Sequence, residues 1–592
     1  MVGTYAAVVA VCAASLAVGQ AALALCGVRR WSWLAPAVGL GLVCAACWAT
    51  VRMPGDGVVA AIVVLVATLA SLAYLWRRCE GGGEALQIGA PVALLALGAA
   101  SLPFVVEGHF GILGTSFNPD MSQHLLATER LAHGASSPLL HQGYPLGPHA
   151  VVVALNKGLG IGLVQGFDGL TIAIAILASL TALAAFAELP RLPRTLAPLV
   201  VALAYVVASY SAQGAFKETM QALFFLAFVL SLREADRTCP NLTLRYVPAA
   251  LIAVGSTYTY SFPGLIWLGG AAVLWLAVSA AGGRGWPSRP HLGGREGHPR
   301  TGPAAGALGL ALLTFVVLTA PELGRMLDFQ SFETFDPNGP GLGNLFGQVS
   351  PFEALGIWPS GDFRLAPGDG VVPAVTYYLG IALGLVLLAH GVAWAWRRHE
   401  RAVLAGLGAA GLAYAAARLG GTPYTAAKAI ELAAPICALT ILLPLTGDFD
   451  WRTAPGMRNK SATRWVMPAL FALFALAAGL SSLLALANAP VGPTAYSSKL
   501  SEYRRAVGGG PTAVFASPQF LEEEHGESFL AWELRGGRVC IRSTEDPRAV
   551  PGVRFVISDS GGWVLRRLPA RDLGKSPCPL IAERQARQGP ER

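Results

Sequence analysis

Asp120 and His124 lie in a polar segment between two apolar stretches, at a spacing that can support acid–base chemistry. Because they are four residues apart, both side chains lie on one face if the segment is helical from about Pro119. A carboxylate can take the proton of an attacking hydroxyl group, and a nearby imidazole can orient that carboxylate. The structural alternatives are an N-terminal helix cap for Asp120 and a solvated His124.

Lys217 and Glu218 begin a separate apolar stretch. A charged pair there is costly in lipid, so it usually faces a cavity or a partner. Lys217 can neutralise an anion, and Glu218 can accept hydrogen bonds or act as a second carboxylate. The alternative is a lysine that extends to the interface and a glutamate favoured by the helix N-terminus.

Lys428 lies about one turn inside another apolar stretch, deeper than an interfacial lysine needs to be. A buried ammonium requires an anion, and a lipid phosphate or pyrophosphate is a natural one. Tyr424 is one turn away and shares its face. Glu431, later in the same stretch, is the alternative partner.

Four further polar or aromatic residues lie in the loops or at the ends of apolar stretches. The first polar loop ends in a rigid turn that contains Tyr144 and His149, and Glu322 begins the second loop. Tyr258 lies in the break Tyr258–Gly264 between two apolar stretches, and anchoring at the membrane interface is its alternative role.

The composition predicts a polytopic α-helical membrane protein. Hydrophobic residues make up 54% of the 592 residues and charged residues only 13%, against about 25% charged residues in soluble proteins. Residues 495–592 hold 15 Lys/Arg and 12 Asp/Glu, so they contain 27 of the chain's 78 charges. We therefore expect a membrane domain at 1–494 and a separate domain at 495–592.

Apolar stretches long enough to cross about 30 Å of hydrocarbon predict about 14 transmembrane helices. The segment 147–164 is interrupted by Asn156, Lys157 and glycines, so it is predicted as an interfacial or re-entrant helix. The predicted spans are 5–26, 32–51, 57–76, 87–106, 168–187, 195–211, 216–232, 246–261, 264–282, 304–320, 371–395, 401–417, 426–445 and 465–488.

The distribution of charge over the loops predicts the orientation. With these spans, the loops on one side of the membrane hold 20 Lys/Arg and 9 Asp/Glu. The loops and helix ends on the other side hold 8 Lys/Arg and 14 Asp/Glu, not counting the C-terminal domain. Cytoplasmic loops are enriched in Lys and Arg, so the loops 107–167 and 321–370, the C-terminal domain and both termini are predicted outside the cytoplasm. The basic loops account for the net charge of +8 without a nucleic-acid partner.

The C-terminal domain alternates short apolar runs with turn residues and has a helical start near 498–506, which predicts a small extracytoplasmic α/β domain. Its cysteines are Cys540 and Cys578. In an oxidising compartment such a pair can form a disulfide, and two free thiols are the alternative.

The segment Gly111–Ala150 resembles the GT-C membrane glycosyltransferases, among them aminoarabinose, mannosyl and arabinofuranosyl transferases. The resemblance rests on an early Asp in the first outer loop, a His one turn later, and the element Tyr-Pro-x-Gly-x-His at 144–149. The general plan of many spans and a soluble C-terminal domain is also similar. Many members have two adjacent acids where this chain has Asn118-Pro119-Asp120, so the resemblance leaves a divalent cation open and assigns no metal ligands.

This resemblance implies a multi-pass enzyme of the plasma (inner) membrane. It would transfer a sugar from a polyprenyl-phosphate donor to an envelope glycan, lipid or protein on the outer face of the bilayer. Asp120 would be the base and His124 its catalytic neighbour. The donor phosphate and sugar would be bound by Lys217, Glu218, Tyr424 and Lys428, with Tyr144, His149, Tyr258 and Glu322 as additional candidates.

Two other functions stay open from the sequence. A transporter or flippase for lipid-linked glycans would share the phosphate-binding lysines but would not need Asp120. A non-catalytic envelope assembly protein would keep the fold without activity. A transporter usually carries ionisable groups near the bilayer midplane within paired repeats, whereas the candidate residues lie at predicted outer helix ends.

The predicted orientation can be tested by labelling single cysteines. In a background without the native cysteines, Ser136→Cys in the first outer loop should react with a membrane-impermeant maleimide in intact cells. Ser288→Cys, in the arginine-rich loop 283–303, should react only after the membrane is permeabilised. Labelling in the opposite order would place the candidate residues in the cytoplasm.

Overall fold

A computed structural model gives the fold of the chain. It describes residues 1–115, 118, 120–134, 138–237, 243–281, 305–331, 341–447, 466–493, 497–508, 510–522, 526–535, 537–545, 550, 552–559 and 561–568. The structural statements that follow concern these residues. Within them the chain is mostly helical, with one small sheet near the C-terminus.

Ten described helices are long and apolar enough to cross a membrane. The bent pair Arg191–Ala202 and Tyr205–Ala212, with an angle of 57°, makes an eleventh if it counts as one span. The ten are Val2–Leu25, Asp56–Trp76, Gly82–Glu107, Leu163–Phe186, Val247–Ala280, Ala305–Asp328, Ala374–Arg397, Arg401–Gly420, Pro423–Thr446 and Val466–Ala487.

The predicted count of 14 is therefore not confirmed. The predicted span 32–51 corresponds to a helix of only 17 residues, Ala35–Val51, and the span 216–232 lies in the more polar helix Phe216–Arg237. The spans 246–261 and 264–282 are joined in one helix that breaks at Ser261, where φ is 58°. Pro263 has no N–H to donate, so the break falls where the sequence predicts one.

Three shorter helices belong to the first polar loop. They are Met121–Ala132, called the loop helix from here on, Pro138–His141 and Gly147–Leu159. The last has 13 residues and is about 20 Å long, which is too short for about 30 Å of hydrocarbon. The second polar loop contains the short helical turns Phe329–Ser331 and Pro351–Leu355.

The first two helices cross at small residues. A Cβ atom on Gly39 would lie 1.7 Å from the Ser15 carbonyl oxygen, and one on Gly19 would lie 1.9 Å from that of Ala35. Small residues permit such close approach of helix backbones in a membrane, where packing rather than the hydrophobic effect drives association. The crossing thus depends on glycine at both positions.

The C-terminal unit, residues 497–568 as described, contains three helices and a four-stranded sheet. The helices are Ser498–Val507, Pro518–Glu522 and Gly526–Glu533. The strands are β1 (Thr512–Ala516), β2 (Val539–Ser543), β3 (Phe555–Asp559) and β4 (Trp563–Arg567), in the order β2-β1-β3-β4. Strand β1 is parallel to β2 and β3, and β4 is antiparallel to β3.

The sheet and its helices enclose an apolar core of their own, which includes Leu500, Val514 and Ile557. Cys540 on β2 is disulfide-bonded. Cys578 lies outside the described residues, so the pairing of these two cysteines stays a prediction. The domain boundary at 494/495 and the extracytoplasmic position also stay predictions.

Gly39→Ala should destabilise the membrane domain, because the added methyl group meets backbone atoms that cannot move aside. Overpacking of this kind costs about 1–3 kcal/mol. Gly98→Ala is the matched control, since a Cβ atom at Gly98 meets no atom within 4 Å. Thermal unfolding in detergent, followed by tryptophan fluorescence, should show a lower midpoint for Gly39→Ala alone; equal midpoints would contradict the close crossing.

Candidate functional site

Residues from four separate parts of the chain meet at the starts of the helices Phe216–Arg237 and Pro423–Gly447 and beside the break at Ser261. The first polar loop contributes Tyr144 to this region. The group called the lysine cluster from here on consists of Tyr144, Lys217, Glu218, Tyr260, Tyr424 and Lys428.

An ion pair lies at the centre of the lysine cluster. Lys428 Nζ is 3.0 Å from Glu218 Oε1, and only 15% and 8% of the two side chains is exposed. The Tyr260 hydroxyl donates to the same oxygen at 3.4 Å, and the Lys428 ammonium lies 4.2 Å from the centre of the Tyr424 ring. Lys428 and Glu218, which the sequence treats as separate candidates, are therefore partners.

Glu431 is not the partner of Lys428, contrary to the alternative considered from the sequence. Its side chain is fully buried, and neither of its oxygens has a hydrogen-bond partner within the described part of the chain. Glu218 takes the ammonium instead, from the first turn of the neighbouring helix Phe216–Arg237.

Lys217 is held by aromatic rings. Its Nζ lies 3.8 Å from the centre of the Tyr144 ring and 5.8 Å from that of Tyr260. No ion pair joins Lys217 to a carboxylate among the residues that the structure describes. Ring faces stabilise a desolvated ammonium by about 2 kcal/mol but do not neutralise it, so Lys217 can still attract an anion.

His124 and His149 contact each other through their rings. His149 Nε2 lies 3.1 Å from His124 Nδ1, so one ring donates to the other. His149 is fully buried, and burial lowers its pKa well below the ordinary value, with smaller contributions from His124 and Lys217. His149 is thus neutral at physiological pH. It supports His124, whose ring also packs against Tyr144 and Phe216.

Asp120 is the N-cap residue of the loop helix by position, but its carboxylate makes no capping hydrogen bond. Its own backbone N–H donates to Asn118 Oδ1 at 3.0 Å, and the residue is partly exposed. Burial raises the pKa of Tyr144 well above its usual range, and the charges of Glu218 and then Asp120 raise it further. Asp120 therefore lies within electrostatic reach of the lysine cluster.

Glu322 and Tyr258 belong to a neighbouring group. Glu322 accepts a hydrogen bond from the Trp48 indole and forms ion pairs with Arg52 at 3.1 Å and Arg325 at 3.2 Å. The Tyr258 hydroxyl donates to the Leu318 carbonyl at 2.8 Å. Both oxygens of Glu322 are thus engaged within the protein, unlike a carboxylate that is open to a sugar.

Arg325, which the sequence analysis missed, connects this group to the first loop. Its guanidinium donates to the Leu140 carbonyl at 2.8 Å and to the Tyr144 carbonyl at 2.7 Å. It therefore fixes the turn that presents Tyr144 to Lys217. The spacing of three residues between Glu322 and Arg325 was the available signal, since such pairs lie side by side on a helix.

The lysine cluster and the first loop together provide buried positive charge, phenol groups and a partly exposed carboxylate. This arrangement can bind a phosphate and deprotonate a hydroxyl group beside it. Within the described ranges, no group of three or more His, Cys, Asp or Glu side chains is arranged to hold a metal ion.

No protein-family model matches the chain, and no curated protein matches it. One solved structure that it resembles is the arabinofuranosyltransferase AftD from mycobacteria, determined by single-particle cryo-electron microscopy. The match covers 79% of this chain and 35% of that chain, with 14% sequence identity and a TM-score of 0.47. The chain thus spans well under half of the length of that protein.

Glu218→Gln should destabilise the protein, because it leaves the Lys428 ammonium buried without its counter-charge. Breaking a buried pair from one side costs about 3–5 kcal/mol. Replacing Lys428 by Met in the same protein should restore most of the loss, and thermal unfolding in detergent measures both.

The matched control for this pair is Glu84→Gln. Glu84 pairs with Arg30 at 3.0 Å, but both side chains are more than half exposed, and such pairs contribute little. Its unfolding midpoint should equal that of the parent protein. A double variant less stable than Glu218→Gln would contradict the mutual dependence of the two charges.

Proposed function

We propose that the protein is a membrane glycosyltransferase of the cell envelope. It transfers a sugar from a polyprenyl-phosphate donor to a glycan, lipid or protein acceptor. The observation that carries this proposal is the convergence of two largely buried lysines, Lys217 and Lys428, which lie within electrostatic reach of the partly exposed residue Asp120 from a separate part of the chain. The loop charges support a site on the outer face of the plasma membrane.

The lysines provide the donor site. A polyprenyl-phosphate sugar presents its phosphate where the lipid chain leaves the bilayer, at the level of helix ends. Lys217 is buried against Tyr144 without a carboxylate partner in the described part of the chain, and it attracts the phosphate. A charge in a low-dielectric site acts on this anion more strongly than a charge in water does.

Asp120 acts as the base. As the acceptor oxygen forms its bond to the anomeric carbon, Asp120 takes the hydroxyl proton. The bond between that carbon and the phosphate oxygen breaks, and its electron pair stays on the phosphate. The phosphate thus gains negative charge, which the lysine cluster stabilises.

The remaining loop residues orient this chemistry. His124 lies one turn after Asp120. A hydrogen bond with neutral His149 fixes the orientation of the His124 ring. The Tyr144 phenol stays protonated above Lys217, so it can donate a hydrogen bond to a phosphate or sugar oxygen. His124 and Tyr144 thus orient the reacting groups, and neither needs to change its charge during transfer.

Asp120→Asn should lower transfer by about 10²- to 10⁴-fold, the usual contribution of a general base. Asparagine has the same size but does not take up the proton, so donor binding should persist. Purified protein, a polyprenyl-phosphate sugar and an envelope acceptor extract provide the assay. Glu107→Gln is the matched control, since Glu107 is an exposed acid at the start of the same loop.

Other outcomes separate the competing functions. Undiminished transfer by Asp120→Asn would remove Asp120 as the base. Donor binding with movement across liposome bilayers, but no transfer by the parent protein, would favour a flippase for lipid-linked glycans. Neither binding nor transfer with any donor would favour an envelope assembly protein.

A further inference from the structure

The C-terminal unit contacts the loop that carries Asp120 and His124. Its helix Gly526–Glu533 packs against the loop helix. Trp532 on that helix is 3% exposed and belongs to the same buried apolar cluster as Leu125 and Leu131 of the loop helix. Most other apolar residues of the C-terminal unit form a separate core. Trp532 is thus the apolar anchor between the two parts.

Charged residues reinforce this anchor. The Arg535 guanidinium lies 3.7 Å from the centre of the Trp532 ring, and its Nη1 donates to the Trp532 carbonyl at 2.8 Å. Burial and then the Arg504 charge lower the pKa of Arg535 to about 10, and Glu129 of the loop helix opposes this shift. Glu129 of the loop helix therefore acts electrostatically on Arg535 of the C-terminal unit.

The segment that leads into the C-terminal unit holds the beginning of the loop. The Gly492 N–H donates to the Ile112 carbonyl at 2.8 Å, and the Gly114 N–H donates to the Pro490 carbonyl at 2.8 Å. A Cβ atom on Gly111 would lie 2.0 Å from the Gly492 carbonyl oxygen. The chain around Asp120 is thus fixed on both sides by residues from beyond position 489.

The loop helix needs such support. It has 12 residues, and isolated helices shorter than about 12–15 residues are marginal in water. The places of its N-terminal Asp120 and of His124 are therefore set by tertiary contacts. On one side these are the rings of His149, Tyr144 and Phe216, and another contact is Trp532.

We propose that the C-terminal unit is a positioning element for the site, with Trp532 as its positioning residue. The contact holds the loop helix so that Asp120 and His124 lie at the lysine cluster. The catalytic part of this inference rests on the proposed glycosyl transfer. The structural part, that Trp532 orders the loop helix, is independent of it.

The test uses the full chain with Trp532→Ala and measures backbone hydrogen exchange together with transfer. Exchange in 121–132 should rise by about 10-fold or more, because a local opening loses its docking contact. The kcat of transfer should fall by about 10-fold with less than about a twofold change in the donor KM, as expected when a reacting group is misplaced. The unfolding midpoint of the spans should not change.

Two further variants keep this test decisive. Trp532→Phe should restore most of the exchange protection and of kcat, because a smaller ring still fills the contact. Arg535→Gln removes the guanidinium that stacks on the same indole, so exchange in 121–132 should rise by a smaller factor than in Trp532→Ala. It is the milder variant to use if Trp532→Ala does not fold. Trp76→Ala, which removes an indole that is 90% exposed, should leave exchange in 121–132 unchanged.

The outcomes distinguish this inference from the proposed function. Unchanged exchange in 121–132 in both Trp532→Ala and Arg535→Gln would overturn the positioning role, whatever the activity. Raised exchange in a protein that transfers no sugar would support the ordering of the loop helix and count against glycosyl transfer. An equal rise in backbone hydrogen exchange over all spans would also overturn the inference, because it would show that the variant destabilises the whole protein.

Discussion

The buried ion pair between Lys428 and Glu218 is the contact on which the arrangement of the site depends. An uncompensated charge costs several kcal/mol in a low-dielectric interior, so each residue requires the other within about 3–4 Å. The helices Phe216–Arg237 and Pro423–Gly447 must then begin side by side. Tyr260 donates to the same carboxylate, which fixes the broken helix against both. Both side chains are largely buried, so little water can replace a lost partner.

The pair also determines which charge remains for a ligand. Glu218 offsets Lys428, whereas its sequence neighbour Lys217 points about 100° away around the helix and meets the Tyr144 ring. The two lysines and one glutamate leave one positive charge uncompensated among these three groups. A phosphodiester carries one negative charge near neutral pH and can neutralise it. The same helix start thus supplies both the structural pair and the group that can bind a phosphate.

Part of the site can be anticipated from the sequence. Charged residues at the ends of membrane helices require a partner or a cavity, and residues on the same predicted face can meet each other. That reasoning brings Lys217, Glu218 and Lys428 together, but it cannot choose between Glu218 and Glu431 as partner, since the choice depends on the rotation of neighbouring helices. The count of 14 spans is not confirmed because hydropathy does not detect that apolar segments bend, shorten or join. The spacing of Arg325 from Glu322 indicates an ion pair, but nothing in the sequence shows that Arg325 also donates to backbone carbonyls of the first loop.

The loop helix contacts both the helices of the membrane domain and the C-terminal unit, so it connects the two parts. Ten of the 12 residues of the loop helix are buried, so its flanks are closed. Asp120, at its N-terminal end, is partly exposed and lies within electrostatic reach of the lysine cluster. The contacts that hold the loop helix therefore also determine where its partly exposed N-terminal end lies.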